Sequence, residues 1–410
     1  MKKLLLVLLI LSLFINHLNA NEKDLQIIQK DKKEYRLLEK ESIQTRQQSQ
    51  KYDWISPIDL SGNIGRNHSF SDENSRNLNN KNTKSASIGF TQSIFESGGI
   101  GFKMEYADNR FKYEMLSWEN QNSQLIYTIY NTLLDIKKLK LEINQNDYRI
   151  VNKDIELIIK KIQYEAGKTD IIELNNAIMS KNLIQKEEIA LKNSLKEKEQ
   201  ELAKYTDLKY DEIEILDFQE TNKDIFLDKN YSILEADAKV EMLNSEYKIK
   251  KSQYLPKLSL SAKASYSSQD EKFNSMIGDT NKDDATSSGS LILSMPLYDY
   301  TKSSKVQESK IEVLKQKALV NDLKNETAFE YEQIFTKIDT YLKQNETINK
   351  NIKLYEELIG ANKISSEAGM TSKYDLEILE NTKTINEFDI LINKINILQQ
   401  YAKLYFKIKN

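Results

Sequence analysis

The 410-residue chain has no cysteine, so neither a disulfide framework nor a thiolate metal site is open to it, and no thiol is present to carry a lipid anchor. It has 2 histidines: His17 lies in an N-terminal apolar stretch, and His68 sits in a polar segment beside Asn67 and Ser69, where a solvated role is expected. With 11 Gly and 3 Pro against 30% charged residues, the chain has the low breaker content of a protein made mostly of helix. After the first 20 residues no apolar run reaches the ~20 residues that a spanning helix needs. Any membrane crossing therefore falls to strands. An excess of one charge is missing too. The formal net charge is -3, acids and bases are interspersed and no basic patch stands out, which excludes a nucleic-acid binder.

Signs of catalysis are equally absent. The sequence contains no GxSxG, no HExxH and no Cys-His pair, and Gly98-Gly99-Ile100-Gly101 lacks the Lys-Ser or Lys-Thr that a phosphate loop requires. No cofactor, no metal and no enzymatic activity are expected.

Residues 1–20 read as a secretory signal peptide: Lys2 and Lys3, an apolar run from Leu4 to Ile15, then a polar stretch closing on Ala20. Its removal takes the net charge from -3 to -5 and places the mature N-terminus near Asn21.

The remainder says the same thing twice. Glu165-Ala166-Gly167-Lys168-Thr169 recurs 202 positions later as Glu367-Ala368-Gly369-Met370-Thr371, and an acid follows in each copy, Glu173 and Asp375. Both copies separate long helical patterns. A glycine there suits the left-handed residue that ends a helix, and Thr169 or Thr371 is placed to cap the next. They are read as tips of helical hairpins.

Each tip is preceded by alternating segments. Ile58, Leu60, Gly62 and Ile64 alternate with polar residues, and so do Ile88, Phe90, Gln92 and Ile94. In the second half Leu258, Leu260, Ala262, Ala264 and Tyr266 alternate with Lys and Ser, followed by Leu291, Leu293, Met295 and Leu297. Period two marks strands with one apolar face, and about ten residues suffice for a tilted strand to cross a bilayer. Ile58, Leu60, Ile88, Phe90, Leu258, Leu260, Leu291 and Leu293 are the expected lipid-facing residues. Arg66 to Lys84 and Ser267 to Ser288 read as long polar loops.

Between hairpins and tips the patterns are long and helical. From Thr301 to Ala368 only Gly360 interrupts, and Tyr331, Ile334, Ile338, Tyr341, Ile348, Ile352, Tyr355 and Ile359 recur at spacings of three and four, with Asn345 on the same seam. Such a seam packs against other helices as a coiled coil. Each long helix would reach roughly 100 Å. The division expected is 1–20 signal; 21–205 first repeat, with hairpin 55–96 and tip near Gly167; 206–223 linker; 224–410 second repeat, with hairpin 256–298 and tip near Gly369.

With these elements in order, the chain resembles the TolC-like family of outer membrane efflux proteins. The residues that carry the likeness are Tyr254-Leu255-Pro256-Lys257-Leu258-Ser259-Leu260, Thr91-Gln92-Ser93-Ile94-Phe95 and the two tips, YEAGKTDIIEL from Tyr164 and SEAGMTSKYDL from Ser366. The resemblance implies a mainly α protein with a small membrane β-barrel: a homotrimer whose four strands per chain build one twelve-stranded barrel above a coiled-coil helical tunnel in the periplasm. Four strands cannot close a barrel alone, since about eight is the known minimum. The resemblance further implies a periplasmic adaptor docked on the tips, an inner membrane transporter, and acids at the Glu173 and Asp375 positions that line an idle constriction. Departures occur at Ile378, where the family often has an acid, and at Gln163 and Ser365, where it often has arginine.

Three functions compete. The leading one, an exit duct of a tripartite efflux pump with type I protein secretion as the alternative, needs no catalytic group. A secreted coiled-coil adhesin or scaffold would share the long charged helices but leaves the two strand hairpins unexplained. An envelope hydrolase would need a nucleophile and a base, which the sequence does not offer.

Overall fold

The computed structural model describes residues 25–69, 79–216, 218, 220–270, 282–367 and 372–409. The signal expected over 1–20, Gly369 and Thr371 lie outside them. After a 3-10 turn at Leu25–Ile27, the order is α1 (Lys30–Tyr52), β1 (Asp59–Ser69), β2 (Asn79–Phe95), α2 (Gly99–Glu165) and α3 (Ile171–Leu202). There follow α4 (Lys223–Asp228), α5 (Tyr231–Ser252), β3 (Lys257–Asp270), β4 (Lys282–Ser294), α6 (Lys302–Glu367) and α7 (Lys373–Phe406). The sequence of helix, two strands, long helix and shorter helix thus occurs twice. None of the described helices is long and apolar enough to cross a membrane.

Contacts divide the chain into two compact units, each drawn from both halves of the sequence. One comprises residues 1–40, 116–234 and 321–410; the other comprises 41–115 and 235–320.

In the first unit the core gathers Phe226, Ile334, Ile338, Leu404 and Ile408, with Tyr331, Phe335, Ile397 and Tyr401 against it. Beside it Phe218 meets Tyr130 edge-on at 5.9 Å and Phe406 at 5.5 Å, while Tyr130 stacks on Phe406 at 5.4 Å. Phe218 and Ile213 are buried, so the segment read as a linker supplies core side chains. The helical stretch that opens the second repeat is broken in two, α4 and α5. The break has a cause in the chain's C-terminal end: Asn230 pairs with Ile408 in a β-bridge, Tyr231 N–H donates to the Lys407 carbonyl at 2.9 Å, and Lys409 N–H donates to the Lys229 carbonyl at 2.8 Å.

The long helices of this unit are held by apolar seams with amides set into them. Asn345, out of place in its seam by polarity, accepts from Asn393 Nδ2 at 2.9 Å, joining α6 to α7. Gln145 donates to the Ile385 carbonyl at 2.9 Å and to Asp389 at 2.7 Å, and Asn381 donates to Asn152 at 2.9 Å, joining α2 to α7. A polar pair at a seam position forbids helical slips that would leave it buried and unpaired.

In the second unit small residues bring helices close: Ala107, Ala238 and Ser245 are buried, and Asn109 Nδ2 donates to Ser245 Oγ at 2.9 Å between α2 and α5. Its strands form one antiparallel sheet in the order β1-β2-β3-β4. The strands are longer than the apolar alternation alone suggests. Much of the two stretches expected to be loops is ladder, from Arg66 paired with Asn82 to Ser267 paired with Asp284. Hydrogen bonding between backbones continues where the side chains turn polar, because the ladder needs amides and carbonyls and not apolar groups. At the exit of β2 the chain turns through Ser97 and Gly98 at φ 50° and 89°. A Cβ on Gly98 would also stand 3.1 Å from the Phe102 ring.

Candidate functional site

The sheet is two-faced through all its strands, and the register shows it rung by rung. Leu60 pairs with Ile88, which pairs with Ala264, which pairs with Ser287. Below it run Phe90, Ala262 and Gly289, then Gln92, Leu260 and Leu291, then Phe95, Leu258 and Leu293. The candidates Leu60, Ile88, Phe90, Leu258, Leu260, Leu291 and Leu293 therefore share one face, while Ile58 stands just ahead of β1. Leu60 is 80% exposed, Leu291 67% and Leu293 74%, so nothing among the described residues covers this face.

The opposite face is a field of hydroxyls. Ser61 bonds Ser87 at 2.8 Å, Thr91 bonds Ser261 at 3.1 Å, Ser93 bonds Ser259 at 3.3 Å and Ser265 bonds Thr286 at 2.8 Å. Each bond crosses a strand boundary, which satisfies the hydroxyls laterally and leaves their remaining capacity for water. Two of the four bonds join β2 to β3, the contact that makes one sheet of the two hairpins. That pairing is beyond the sequence: alternation fixes which residues share a face of a strand, but not which strands are neighbours. Among the described residues β1 and β4 are each paired on one side only. An open edge presents unsatisfied backbone groups and calls for another strand.

The tip of the first helical hairpin is the second candidate site. Gly167 has φ 69°, its N–H donates to the Tyr164 carbonyl at 2.9 Å, and the Lys168 N–H donates to the Gln163 carbonyl at 2.8 Å. Together these are the two bonds of a Schellman ending for α2. The cap of α3 is not Thr169 but Asp170, whose side chain accepts from the Glu173 N–H at 2.9 Å. The Thr169 hydroxyl instead donates to Glu173 Oε2 at 2.9 Å. Asp170 displaces Thr169 because a cap must be the residue directly before the first helical turn, and α3 begins at Ile171. In the second copy Ser372 caps α7, accepting from the Tyr374 N–H at 3.2 Å.

The two tip acids differ. Glu173 forms an ion pair with Lys160 across the hairpin. The Lys160 ammonium, with help from Thr169, holds the Glu173 carboxyl below its ordinary range. Asp375 is exposed in the first turn of α7 and has no ion pair among the described residues. Lys160 lies 13 residues before Glu173, and only the closed hairpin brings them together.

No group of acidic or histidine side chains able to hold a metal ion occurs among the described residues. Comparison with known proteins decides what such an arrangement belongs to. Residues 224–403 match the outer membrane efflux protein family. The chain thus shares, over less than half of its length, the sequence pattern of that family. Its fold is similar to that of the Campylobacter jejuni outer membrane channel CmeC, at 13% identity over 92% of this chain and 84% of that one, with a TM-score of 0.69. The Vibrio cholerae outer membrane protein VceC gives 14% identity over 93% and 94%, TM-score 0.70. The Neisseria gonorrhoeae MtrE outer membrane channel in its open state gives 11% over 94% and 87%, TM-score 0.69. A comparison with curated sequences gives no match. Sequence over the second repeat and fold over nearly the whole length thus liken the chain to outer membrane channels with a large helical part.

Proposed function

We propose that this protein is the outer membrane channel of a tripartite efflux pump, receiving substrate from an inner membrane transporter through a periplasmic adaptor. The observation that carries the reading is the four-stranded sheet, with one exposed apolar face, one hydroxyl face and two open edges, continuous in sequence with helices of 67 and 66 residues. Four strands are too few for a membrane barrel, so several copies share one, each β1 pairing with the β4 of a neighbour. Three copies give twelve strands, with Ile58, Leu60, Ile88, Phe90, Leu258, Leu260, Leu291 and Leu293 against lipid and the serines against the lumen. Residues 1–20 serve as the export signal, and 21–205 and 224–410 are the two repeats on either side of 206–223.

The tips are the adaptor-facing end. Gly167 and Gly369, with Thr169 and Thr371, shape the turns, and Asp375 is the acid available to line an idle constriction. Glu173 is the weaker gate candidate, because Lys160 already neutralises it. A photo-crosslinking residue at the exposed Lys168 position tests the reading in cells. Capture of a periplasmic adaptor is the expected result; capture of an exported polypeptide would favour type I protein secretion.

A further inference from the structure

On the hydroxyl face, among residues whose side chains are described, charge occurs at Lys257 and Asp284, towards opposite ends of β3, and on one rung between them. That rung runs from Asp59 in β1 to Gly89 in β2, Lys263 in β3 and Ser288 in β4. Both charged side chains on it are exposed, and neither forms an ion pair among the described residues. Their backbones stand two strand spacings apart, about 10 Å.

Between them lies a glycine, and the space it leaves is in use. A Cβ on Gly89 would meet Lys263 Cβ and Cγ at 3.3 Å and the Ala262 carbonyl oxygen at 3.0 Å. Directly opposed Cβ atoms in a sheet normally stand about 4.5–5.5 Å apart, so the lysine stem leans across β2, over the glycine. One groove on this face is lined by Asp59, Ser61, Ser87, Gly89, Ser261 and Lys263, with no other charged residue in its wall.

We propose that the Asp59–Gly89–Lys263 rung is the ion-selectivity level of the barrel, a band of alternating carboxylate and ammonium groups in the mostly hydroxyl-lined stretch between Lys257 and Asp284. The inference rests on the hydroxyl face lining the lumen. A permeant ion passing such a band meets both signs at similar range, so the two preferences cancel and the barrel discriminates weakly by charge. Removing one partner exposes the other. A unit charge about 7 Å from the ion path in water-like surroundings changes the local concentration of each ion by roughly threefold, in opposite senses for cation and anion, and so their ratio by roughly sevenfold. Gly89 is the positioning residue, since it gives the Lys263 stem its path.

The test is the cation-to-anion permeability ratio of the purified full-length channel in planar bilayers under a potassium chloride gradient at low ionic strength, in an Asp375→Asn background that removes the tip acid. Lys263→Gln should shift the ratio roughly sevenfold towards cations, Asp59→Asn by a similar factor towards anions, and the double variant should return it to the starting value. Because surface charges are screened within about 10 Å at 0.1 M salt, both shifts should shrink at 1 M. Assembly of the variants need not be assumed. The chain has no native cysteine, so Lys263→Cys can be labelled after insertion with a cationic or an anionic thiol reagent, and the two labels should move the ratio in opposite directions. Unchanged ratios in variants and labelled channels of normal conductance would overturn the proposal and leave the channel reading standing. Absence of any conductance from the unsubstituted protein would instead overturn the channel reading.

Discussion

At the scale of single residues, charge is settled by who stands beside it. Glu330 lies half-buried between Lys403 and Lys407, whose ammonium groups approach it to 2.8 and 2.6 Å. Burial alone would raise its pKa, but the two lysines outweigh burial and the carboxyl is held below its ordinary value. A folded pKa below the unfolded one means that the contribution to stability is complete above the unfolded value of about 4.5 and is lost as pH falls through the folded value. Thermal melting of the helical signal should therefore weaken below about pH 4.5, and Glu330→Gln should melt earlier at pH 7 with a smaller acid loss. The cost is on the order of 1 kcal/mol, since the group is only half-buried and water screens it. A variant that melts like the wild type at pH 7 would show that the two lysines contribute nothing net. The tip acids follow the same logic. Asp375→Asn should reduce cation preference and divalent block in single-channel recordings, while Glu173→Gln should change them little because Lys160 already answers that charge. Equal effects of the two substitutions would contradict this assignment.

At the scale of elements, the sheet decides between membrane and water. Leu260 lies on the exposed apolar face and Ser261 on the hydroxyl face, one residue apart in the same strand. Leu260→Arg should cut assembly in the outer membrane sharply, at roughly 2–4 kcal/mol for an arginine near the midplane, whereas Ser261→Arg should assemble. Heat-resistant oligomer on gels of outer membrane fractions is the readout, and equal tolerance would mean that the face meets no lipid. The parity of this face was legible in the sequence because strand alternation repeats through Leu258, Leu260, Ala262 and Ala264. Hidden from the sequence were features that depend on distant partners. The amide seen at Asn345 finds its reason only in Asn393, 48 residues away. The helix break at Lys229–Asn230 exists because Ile408 pairs there. Asp170 took the capping role from Thr169 by a one-residue difference in where α3 starts, a scale at which sequence pattern has little resolution.

At the scale of the whole molecule, the proposed barrel closes only where the edges of β1 and β4 meet those of other copies, and the count of copies is the account's central claim. Native mass spectrometry of the protein extracted in detergent from outer membranes measures that count directly. Three copies per particle is the predicted result, matching twelve strands in one barrel. A soluble monomer, or a particle with another number of chains, would contradict it.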